Sequence, residues 1–300
     1  MIGLIYFSGY EKFVSTFLKF RINTLILVIV LSLLNYLMRF SKWHIYLKSL
    51  KINISVWLSL RIFFSGMLMS ISPGKVGEVF KSLLLKSEKN TPILLSAPVV
   101  LMERLTDLLA IIFLSMTGFF SKDFNILTII LSIGIVIVFI IIVSTPKITD
   151  FLSSLFGKYS THIKKLFDSS RSLMKPKVMF ITTLLSIGSW FMECLGFYIL
   201  IRPFSTSIPL LEATYIYAIC TLLGALSMLP GGLAATEAGM TYLLVQKGII
   251  IGVAGAITFM IRLLTLWFAI LLAFIFFFGT FDVKRIIKLF QNKKEEIKST

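Results

Sequence analysis

The chain has 300 residues, of which 57% are hydrophobic, and this composition excludes a soluble protein because too little polar sequence remains to coat one. The net charge is +16, but the 30 Lys and Arg residues fall mostly between apolar runs, which suits an anionic lipid surface better than nucleic acid. We therefore expect an all-α, polytopic integral membrane protein of the cell membrane, with membrane lipids and not nucleic acid as its partners.

Seven apolar runs are long enough to be membrane spans. They lie at about 22–38, 54–72, 93–120, 124–144, 178–201, 209–229 and 249–280. An eighth crossing is added if the apolar part of 230–247 also spans the bilayer, so the sequence predicts about 7–8 transmembrane helices. After the first run, the basic residues Arg39 and Lys42 accompany Trp43 and Tyr46, a combination that predicts a link at the membrane interface.

The second run ends in the sequence SISPGKVGEVF, which starts at Ser70. Pro removes a backbone donor and Gly removes side-chain constraint, so a helix must break here. In lipid, such a break survives only where it is buried in protein or faces water. We expect a polar groove, although an ordinary loop end at the headgroups explains this first break equally well. The groove residues of this half are Pro73, Gly74, Lys75, Gly77 and Glu78.

The third run carries charged side chains inside its apolar sequence. Glu103 and Asp107 are four residues apart on one helical face, and Arg104 precedes Asp107 by three residues. Each charge at the centre of a span costs about 2.5–3.5 kcal/mol on insertion scales, so each needs a partner or water. Two interpretations stay open: Arg104 and Asp107 merely neutralise each other, or the charges serve the function.

The segment 146–177 separates the two halves of the chain. It has seven Lys or Arg residues against Asp150 and Asp168, and its apolar residues recur at helical spacing. The segment is either an amphipathic helix on the cytoplasmic leaflet or a helix in a solvated loop. We divide the single membrane domain, 1–300, into a first half at 22–145, this linker at 146–177, a second half at 178–280 and a basic tail at 281–300.

The second half contains a similar break. The sequence SMLPGGLAATEAGM begins at Ser227, and the residues after the break stay apolar enough to enter the bilayer, so we expect a re-entrant segment. In the last apolar run, Arg262 has no acid in its own span and needs a partner from another helix, for which Glu237 and Glu193 are the candidates. The groove residues of this half are Pro230, Gly231, Gly232, Glu237 and Arg262.

The two halves share landmarks at matching spacings. The offset from Pro73 to Pro230 is 157 residues, and the offset from Arg104 to Arg262 is 158 residues. Offsets that agree within one residue favour an internal two-fold repeat with broken or re-entrant helices at matching positions, as in many transporters. The repeat is parallel or inverted depending on whether the two broken elements cross the bilayer, and charge counting does not decide between them.

Three motifs carry a family resemblance. In this order, SPGKVGEVFKSLLL, ERLTDLLA and LPGGLAATEAGMTYLL resemble the flippase-like membrane domain of lysylphosphatidylglycerol synthases, a family that includes stand-alone members of uncharacterised function. The resemblance covers roughly 20–280 and implies that the groove residues and the charges of the third run, Lys75 excepted, occupy the family's motif positions. It also implies lipid movement between leaflets. The full synthases carry a further aminoacyl-transfer domain, so we do not expect this chain to aminoacylate lipid by itself.

We expect a protein that translocates a phospholipid or lipid-linked headgroup between leaflets through the groove. A phosphate-binding G-x-x-x-x-G-K-[ST] loop and zinc-type spacings do not occur, so we expect no ATP hydrolysis, no cofactor and no metal, and we assign no catalytic residue. An anionic phosphate would favour Arg104, Arg262 and Lys75, and a cationic headgroup would favour the carboxylates. The oligomeric state is not specified by the sequence.

Two alternatives belong to other functional classes. The first is an integral-membrane transferase that acts on a polyprenyl-phosphate or phospholipid substrate, in which Glu78, Glu103 and Asp107 bind a metal or act as a base. The second is an accessory subunit of such an enzyme, without transport of its own. A change of lipid chemistry separates the enzyme from a flippase, which changes only the side on which the lipid lies.

Because the linker 146–177 and the tail 281–300 are both strongly basic, we predict that they lie on the same, cytoplasmic side of the membrane. The measurement is a pair of fusions, one in the linker and one at the tail, to a reporter that is active on one side only. Equal activity at both sites is expected. Activity on opposite sides would mean that the second Pro-Gly element does not cross.

Overall fold

The structure is a computed structural model that describes residues 10–72, 77–120, 126–155, 157 and 160–281. Regular elements in those ranges are all helical, which confirms the expected all-α class. Helix α1 (Tyr10–Phe17) precedes the first half, which contains α2 (Ile22–Ser49), α3 (Val56–Gly66), α4 (Phe80–Lys89), α5 (Ile93–Ser115) and α6 (Ile126–Ser144). The linker contains α7 (Pro146–Ser154) and α8 (Ser160–Leu173). The second half contains α9 (Pro176–Ile201), α10 (Leu210–Leu226), α11 (Ala235–Gln246), α12 (Ile251–Arg262) and α13 (Phe268–Thr280).

Tighter and wider turns extend several of these helices. Single 3₁₀ turns occupy Met67–Ile71, Met116–Phe120 and Pro230–Gly232, and a π-turn at Leu263–Trp267 joins α12 to α13. Local sequence explains the helix ends: the Ser55 hydroxyl accepts a hydrogen bond from the Leu58 amide at 3.3 Å and caps α3. Asn90, in the left-handed conformation, ends α4.

Three helical runs are long and apolar enough to cross a bilayer. They are α2, α9 and the continuous run Ile251–Gly279, and the pair α6–α7, bent by 84°, raises the number to four in the described part of the chain. Shorter apolar helices occupy Val56–Ile71 and Leu210–Leu226. The chain is therefore an integral membrane protein by its helices, while the count of about 7–8 transmembrane helices stays a prediction.

The basic stretch after the first apolar run is not an interfacial link, and that prediction was wrong. Helix α2 continues unbroken to Ser49, and Arg39, Lys42, Trp43 and Tyr46 are all buried in the bundle. These side chains recur every three or four residues, so they form one face of a single long helix. That face packs against other helices, and Lys42 forms an ion pair with Asp107 there.

The helices α2, α5 and α9 form the centre of the bundle. The Asn35 amide donates to the Ser189 carbonyl at 2.7 Å, and the Tyr46 hydroxyl donates to Thr182 Oγ1 at 2.9 Å. The Tyr36 hydroxyl donates to the Thr265 carbonyl, within the π-turn, at 2.5 Å. Since buried polar groups without partners are costly, these bonds fix α2 against both α9 and the last helical run.

The linker forms two helices that pack against the bundle. Arg171 of α8 donates to the Val143 carbonyl at 3.2 Å and to Thr149 Oγ1 at 3.1 Å, and α8 also contacts α5. On the outer side, Lys164 lies 2.8 Å from Asp150, and this hydrogen bond raises the pKa of Lys164. The linker therefore consists of helices docked on the bundle. Its place on the cytoplasmic leaflet and its division from the two halves stay predictions.

The two broken elements differ in how much of them the structure describes. Pro73, Gly74 and Lys75 lie outside the described residues. The second break has four left-handed residues within seven positions, and a Cβ added at Gly231 would lie 3.7 Å from the Ile71 Cα atom. The end of the segment before the first break thus contacts the second break. The left-handed residues are Met228, Gly231, Gly232 and Ala234.

The backbone at Ala234 has φ 72° and ψ −53°, close to a classic γ-turn, which is strained for a residue with a Cβ. We predict that Ala234→Gly raises the melting temperature in detergent, by an amount that reflects about 1 kcal/mol. The matched control is Ala238→Gly, on the exposed side of α11. This variant should lower the melting temperature, because glycine in a helix costs about 1 kcal/mol of stability. Equal destabilisation by both variants would show that position 234 is unstrained.

Candidate functional site

One buried network joins α2, α4 and α5 to the turn that precedes α4. On α2 the charged residues are three positions apart, and on α5 Asp107 follows Glu103 by four positions and Arg104 by three, so each helix directs its charges toward the network. The network contains four cations and three carboxylates in the described part of the chain, and these are Arg39, Lys42, Lys81, Arg104, Glu78, Glu103 and Asp107.

Lys42 is fully buried, and its ammonium has all three donors in use. Its Nζ lies 2.5 Å from Asp107 Oδ1, 2.8 Å from Ser186 Oγ and 3.3 Å from the Glu103 carbonyl. Because an ammonium has three hydrogens, no donor is left for another ligand. Lys42 therefore acts as a structural cation that ties α2 to α5 and α9.

Lys81 holds the other side of the network. Its Nζ lies 2.5 Å from Glu103 Oε2 and 4.8 Å from the centre of the Trp43 ring, so it combines an ion pair with a cation–π contact. A Cβ added at Gly66 would overlap the Lys81 side chain. The glycine on α3 therefore makes room for the buried lysine.

Arg104 faces two carboxylates and is partly open. Its Nη2 lies 3.1 Å from Glu78 Oε2 and 3.2 Å from Asp107 Oδ2, and 23% of its side chain is exposed. The local pairing of Arg104 with Asp107 exists, but it is one edge of a larger network. Neutralisation within α5 alone is therefore not the full account of these charges.

Arg39 approaches the same carboxylates without bonding to them. Its Nη2 lies 3.9 Å from both Glu78 Oε1 and Asp107 Oδ2, which is beyond hydrogen-bond distance. Among the described residues, no acceptor receives a hydrogen bond from this guanidinium. Arg39 therefore keeps a planar set of donors available inside the protein.

A second charged cluster belongs to the other half of the chain. Arg262 Nε lies 2.6 Å from Glu237 Oε1, and Nη2 lies 2.7 Å from the Gly231 carbonyl. Of the two candidate partners for Arg262, the structure supplies Glu237. Glu193 instead accepts a hydrogen bond from the Tyr217 hydroxyl at 2.5 Å. Arg262 therefore links α12 to α11 and to the second break.

A cavity of about 230 Å³ lies between the two clusters. Arg39, Arg104 and Asp107 line it from one side, and Glu193 and Arg262 line it from the other. The remaining walls are mainly apolar or come from the second break. The cavity thus concentrates several ionisable side chains in a bundle whose outer surface is apolar. Further lining residues are Tyr36, Tyr217, Met228, Leu229, Gly231 and Gly232.

The groove residues and the third-run charges expected from the sequence fall into four groups. Gly231, Gly232, Arg104, Asp107 and Arg262 line the cavity, and Glu78, Glu103 and Glu237 lie behind it as partners of the cations. Gly77 donates its amide to Ser72 Oγ at 2.7 Å, and Pro230 is exposed beside the cavity. The first three residues of the earlier break, at 73–75, lie outside the described part of the chain.

Sequence reasoning missed three cations of the network, Arg39, Lys42 and Lys81. Basic and aromatic residues together are typical of an interface, so the sequence alone predicts that Arg39 and Lys42 lie there. The available signal was the continuity of helical spacing from Tyr36 through Tyr46, which requires that these side chains share one face. Lys81 follows Glu78 by three residues, a spacing that predicts an ion pair on a helix.

No group of three or more His, Cys, Asp or Glu side chains that could hold a metal occurs within the described residues. The three carboxylates of the larger network face Lys and Arg instead. This arrangement suits a site that contacts charged groups directly.

Comparison with known proteins identifies the family of the chain. The model of the family described as "Lysylphosphatidylglycerol synthase TM region" matches residues 1–273. The chain belongs to this family. The resemblance carried by the three sequence motifs is thereby confirmed, and the charged network described above is how this family member arranges those motifs in space.

Archaeal relatives of the chain are membrane proteins named only by family. A UPF0104 membrane protein of Methanocaldococcus jannaschii is 27% identical over 70% of this chain and 92% of its own length. A second, from Pyrococcus horikoshii, is 23% identical over 90% of each chain. A third, from Methanothermobacter thermautotrophicus, is 30% identical over 45% of this chain, and the match spans 41% of that protein.

The ion pair between Arg262 and Glu237 is buried, so we predict that Arg262→Gln and Glu237→Gln each destabilise the protein by about 3–5 kcal/mol. The double variant should recover part of that loss, because an unpaired buried charge is worse than none. Thermal unfolding in detergent measures all three. The control is Lys164→Gln, at an exposed ion pair, which should change stability by about 0–1 kcal/mol.

The outcome also decides between two roles for Arg262. A stable Arg262→Gln protein that has lost its lipid transport would assign the guanidinium to the substrate. A destabilised single variant and a partly restored double variant would assign it to the bundle.

Proposed function

We propose that this protein moves a phospholipid, or another lipid-linked anion, between the leaflets of the cell membrane without hydrolysing ATP. The observation that carries the proposal is the cavity between the two charged clusters, which Arg39 lines with unbonded donors. A charged headgroup cannot cross hydrocarbon without compensation. A cavity with available guanidinium donors supplies that compensation inside the bundle.

The size of the cavity supports a headgroup rather than a whole lipid. Pockets that bury drug-sized ligands measure about 300–1,000 Å³, whereas this cavity measures about 230 Å³. The acyl chains must therefore stay outside, among the apolar faces of the helices. In such a mechanism, the protein contacts only the polar part of its substrate.

An apolar edge of the cavity provides a place for the chains. Met228 and Leu229 line the cavity and are also 59% and 43% exposed. They precede Pro230, at the break where helical hydrogen bonding stops. A lipid whose headgroup lies against Arg39 can therefore keep its chains in the bilayer by passing them over these two residues.

Two equivalent ion pairs support the proposed repeat. Arg104 bonds to Glu78, 26 residues earlier, and Arg262 bonds to Glu237, 25 residues earlier. In each half, the carboxylate follows a Pro-Gly break and the arginine comes from the next long apolar helix. We infer that the halves are related by duplication and that the cavity lies where they meet, as in transporters built from repeats.

Arg39 is the guanidinium best placed to receive a phosphate. Arg262 is engaged by Glu237 and the Gly231 carbonyl, and Arg104 is within 3.2 Å of two carboxylates. Arg39 Nη2 is 3.9 Å from the carboxylate oxygens of Glu78 and Asp107. Its planar donors can therefore bond two phosphate oxygens at once. Arg39 would then bind the substrate, and the other arginines would hold the shape of the site.

The test is lipid movement in vesicles that contain the purified full-length chain and a trace of fluorescent phosphatidylglycerol. A reductant that cannot cross the membrane removes label only from the outer leaflet, so deeper loss of signal reports movement. We expect rapid movement with the native chain. Arg39→Gln should slow it roughly tenfold or more, because hydrogen bonds to charged groups contribute about 1.5–3 kcal/mol.

Two further variants control this experiment. Arg39→Lys should restore movement only in part, because an ammonium has no bidentate fork, and Lys164→Gln on the outer linker should leave it unchanged. A chemically altered lipid, seen by mass spectrometry, would favour the transferase instead. A folded native protein that neither moves nor alters lipid would contradict the proposal and favour the accessory subunit.

A further inference from the structure

Glu193 is a carboxylate in the middle of α9 that faces the cavity. It is 8% exposed, and it accepts a hydrogen bond from the Tyr217 hydroxyl. Within the described residues, no Lys, Arg or His nitrogen lies within ion-pair distance of it. Ionisable groups inside a membrane protein mark substrate or ion pathways and proton relays.

The charged groups that face Glu193 come from four neighbouring helices. Helix α2 presents Arg39 together with the Tyr36 hydroxyl, and α5 presents Arg104 and Asp107 across the cavity. Helix α10 presents the Tyr217 hydroxyl, and α12 presents Arg262, which is held by Glu237. All three arginines attract an anion at position 193. Arg104 and Arg262 are paired with other carboxylates, however, and Arg39 faces the cavity with free donors.

The formal charges of the two clusters nearly cancel. The larger network has four cations and three carboxylates, an excess of one positive charge, and Arg262 with Glu237 is neutral. An ionised Glu193 brings the described residues of the site to zero net charge. A phosphodiester carries one negative charge, so its arrival beside an ionised Glu193 would give the described residues of the site and the ligand together one excess negative charge in a region of low dielectric constant.

We propose that the cavity binds its phosphodiester together with one proton, which Glu193 takes up. This inference rests on the proposed lipid transport and specifies how that transport is coupled. The carboxylate of Glu193 gains a proton from the water that reaches the open cavity and becomes a neutral carboxylic acid. When the phosphodiester leaves on the other side, the acid returns its proton to water.

The proposed coupling predicts the net charge that crosses the membrane and the pH dependence of the affinity. The phosphodiester and the proton carry opposite charges, so the pair moves across the membrane without net charge, and a pH difference drives it. Binding requires a protonated Glu193, so affinity is highest at low pH. Where the free carboxylate is ionised, affinity falls about tenfold for each unit of rising pH, as one linked proton requires.

The experiment is calorimetric titration of the full-length protein in detergent with dioctanoyl phosphatidylglycerol. Repeating it in buffers of different ionisation enthalpy counts the protons taken up on binding. We expect one proton for the native chain, and none for Glu193→Gln, whose neutral amide should hold the low-pH affinity at every pH. Glu212→Gln is the matched control: Glu212 pairs with Lys247 outside the cavity and should behave as the native residue.

A second variant keeps the test valid if Glu193→Gln does not fold. Tyr217→Phe removes the hydroxyl that donates a hydrogen bond to Glu193. It should still take up one proton on binding, because the carboxyl group of Glu193 remains. Binding by the native chain without proton uptake would overturn the inference, and so would equal uptake by native and Glu193→Gln proteins.

These outcomes separate the inference from the proposed function. If transport in vesicles does not depend on the pH difference, the proposed lipid transport is supported and the proton coupling is contradicted. Absence of both binding and transport removes both. A further titration uses sn-glycero-3-phosphoglycerol, which has the same phosphodiester without acyl chains. If it binds as tightly as the lipid and with one proton, Glu193 keeps its role and the substrate is water-soluble, against the proposed lipid transport.

Discussion

The ion pair between Lys42 and Asp107 is the contact on which the centre of this bundle depends. Its two atoms are 2.5 Å apart, and Ser186 bonds to both side chains, so three helices meet at one point. Lys42 is fully buried and Asp107 is 3% exposed, and removing either partner of a buried ion pair is strongly destabilising. The spacing of α2, α5 and α9, and hence the width of the cavity, follows from this contact.

Charges are not needed to hold helices together in this way. Well-packed apolar residues of similar volume often stabilise a buried site as well as an ion-pair network does. The network therefore has to be explained by what it makes available, which is one guanidinium, that of Arg39, held near carboxylates but not bonded to them. Lys42 and Lys81 neutralise those carboxylates, and by doing so they leave Arg39 free to meet a ligand.

Hydropathy and local break signals predicted much of the fold, because lipid forces apolar runs into helices. The runs near 22, 93, 178 and 209 correspond to helices that begin at Ile22, Ile93, Pro176 and Leu210. The site was harder to predict. Arg262 required a partner on electrostatic grounds, which pointed to Glu237, but Arg39 and Lys42 resembled an interfacial stretch. Tertiary packing decides which face of a helix contacts protein rather than headgroups, and residue type alone does not predict that face.

The π-turn at Leu263–Trp267 divides the last helical run into two parts with different tasks. Before it, Arg262 faces the cavity; after it, Phe276 stacks on Phe64 of α3 with ring centres 4.8 Å apart. One residue more or less in a helix rotates everything beyond it by about 100°. Loss of a single codon in this turn would thus give a more regular helix, yet would turn either the arginine or the aromatic face away from its contact. Among homologous sequences, the number of residues in this turn should vary less than the identity of its side chains.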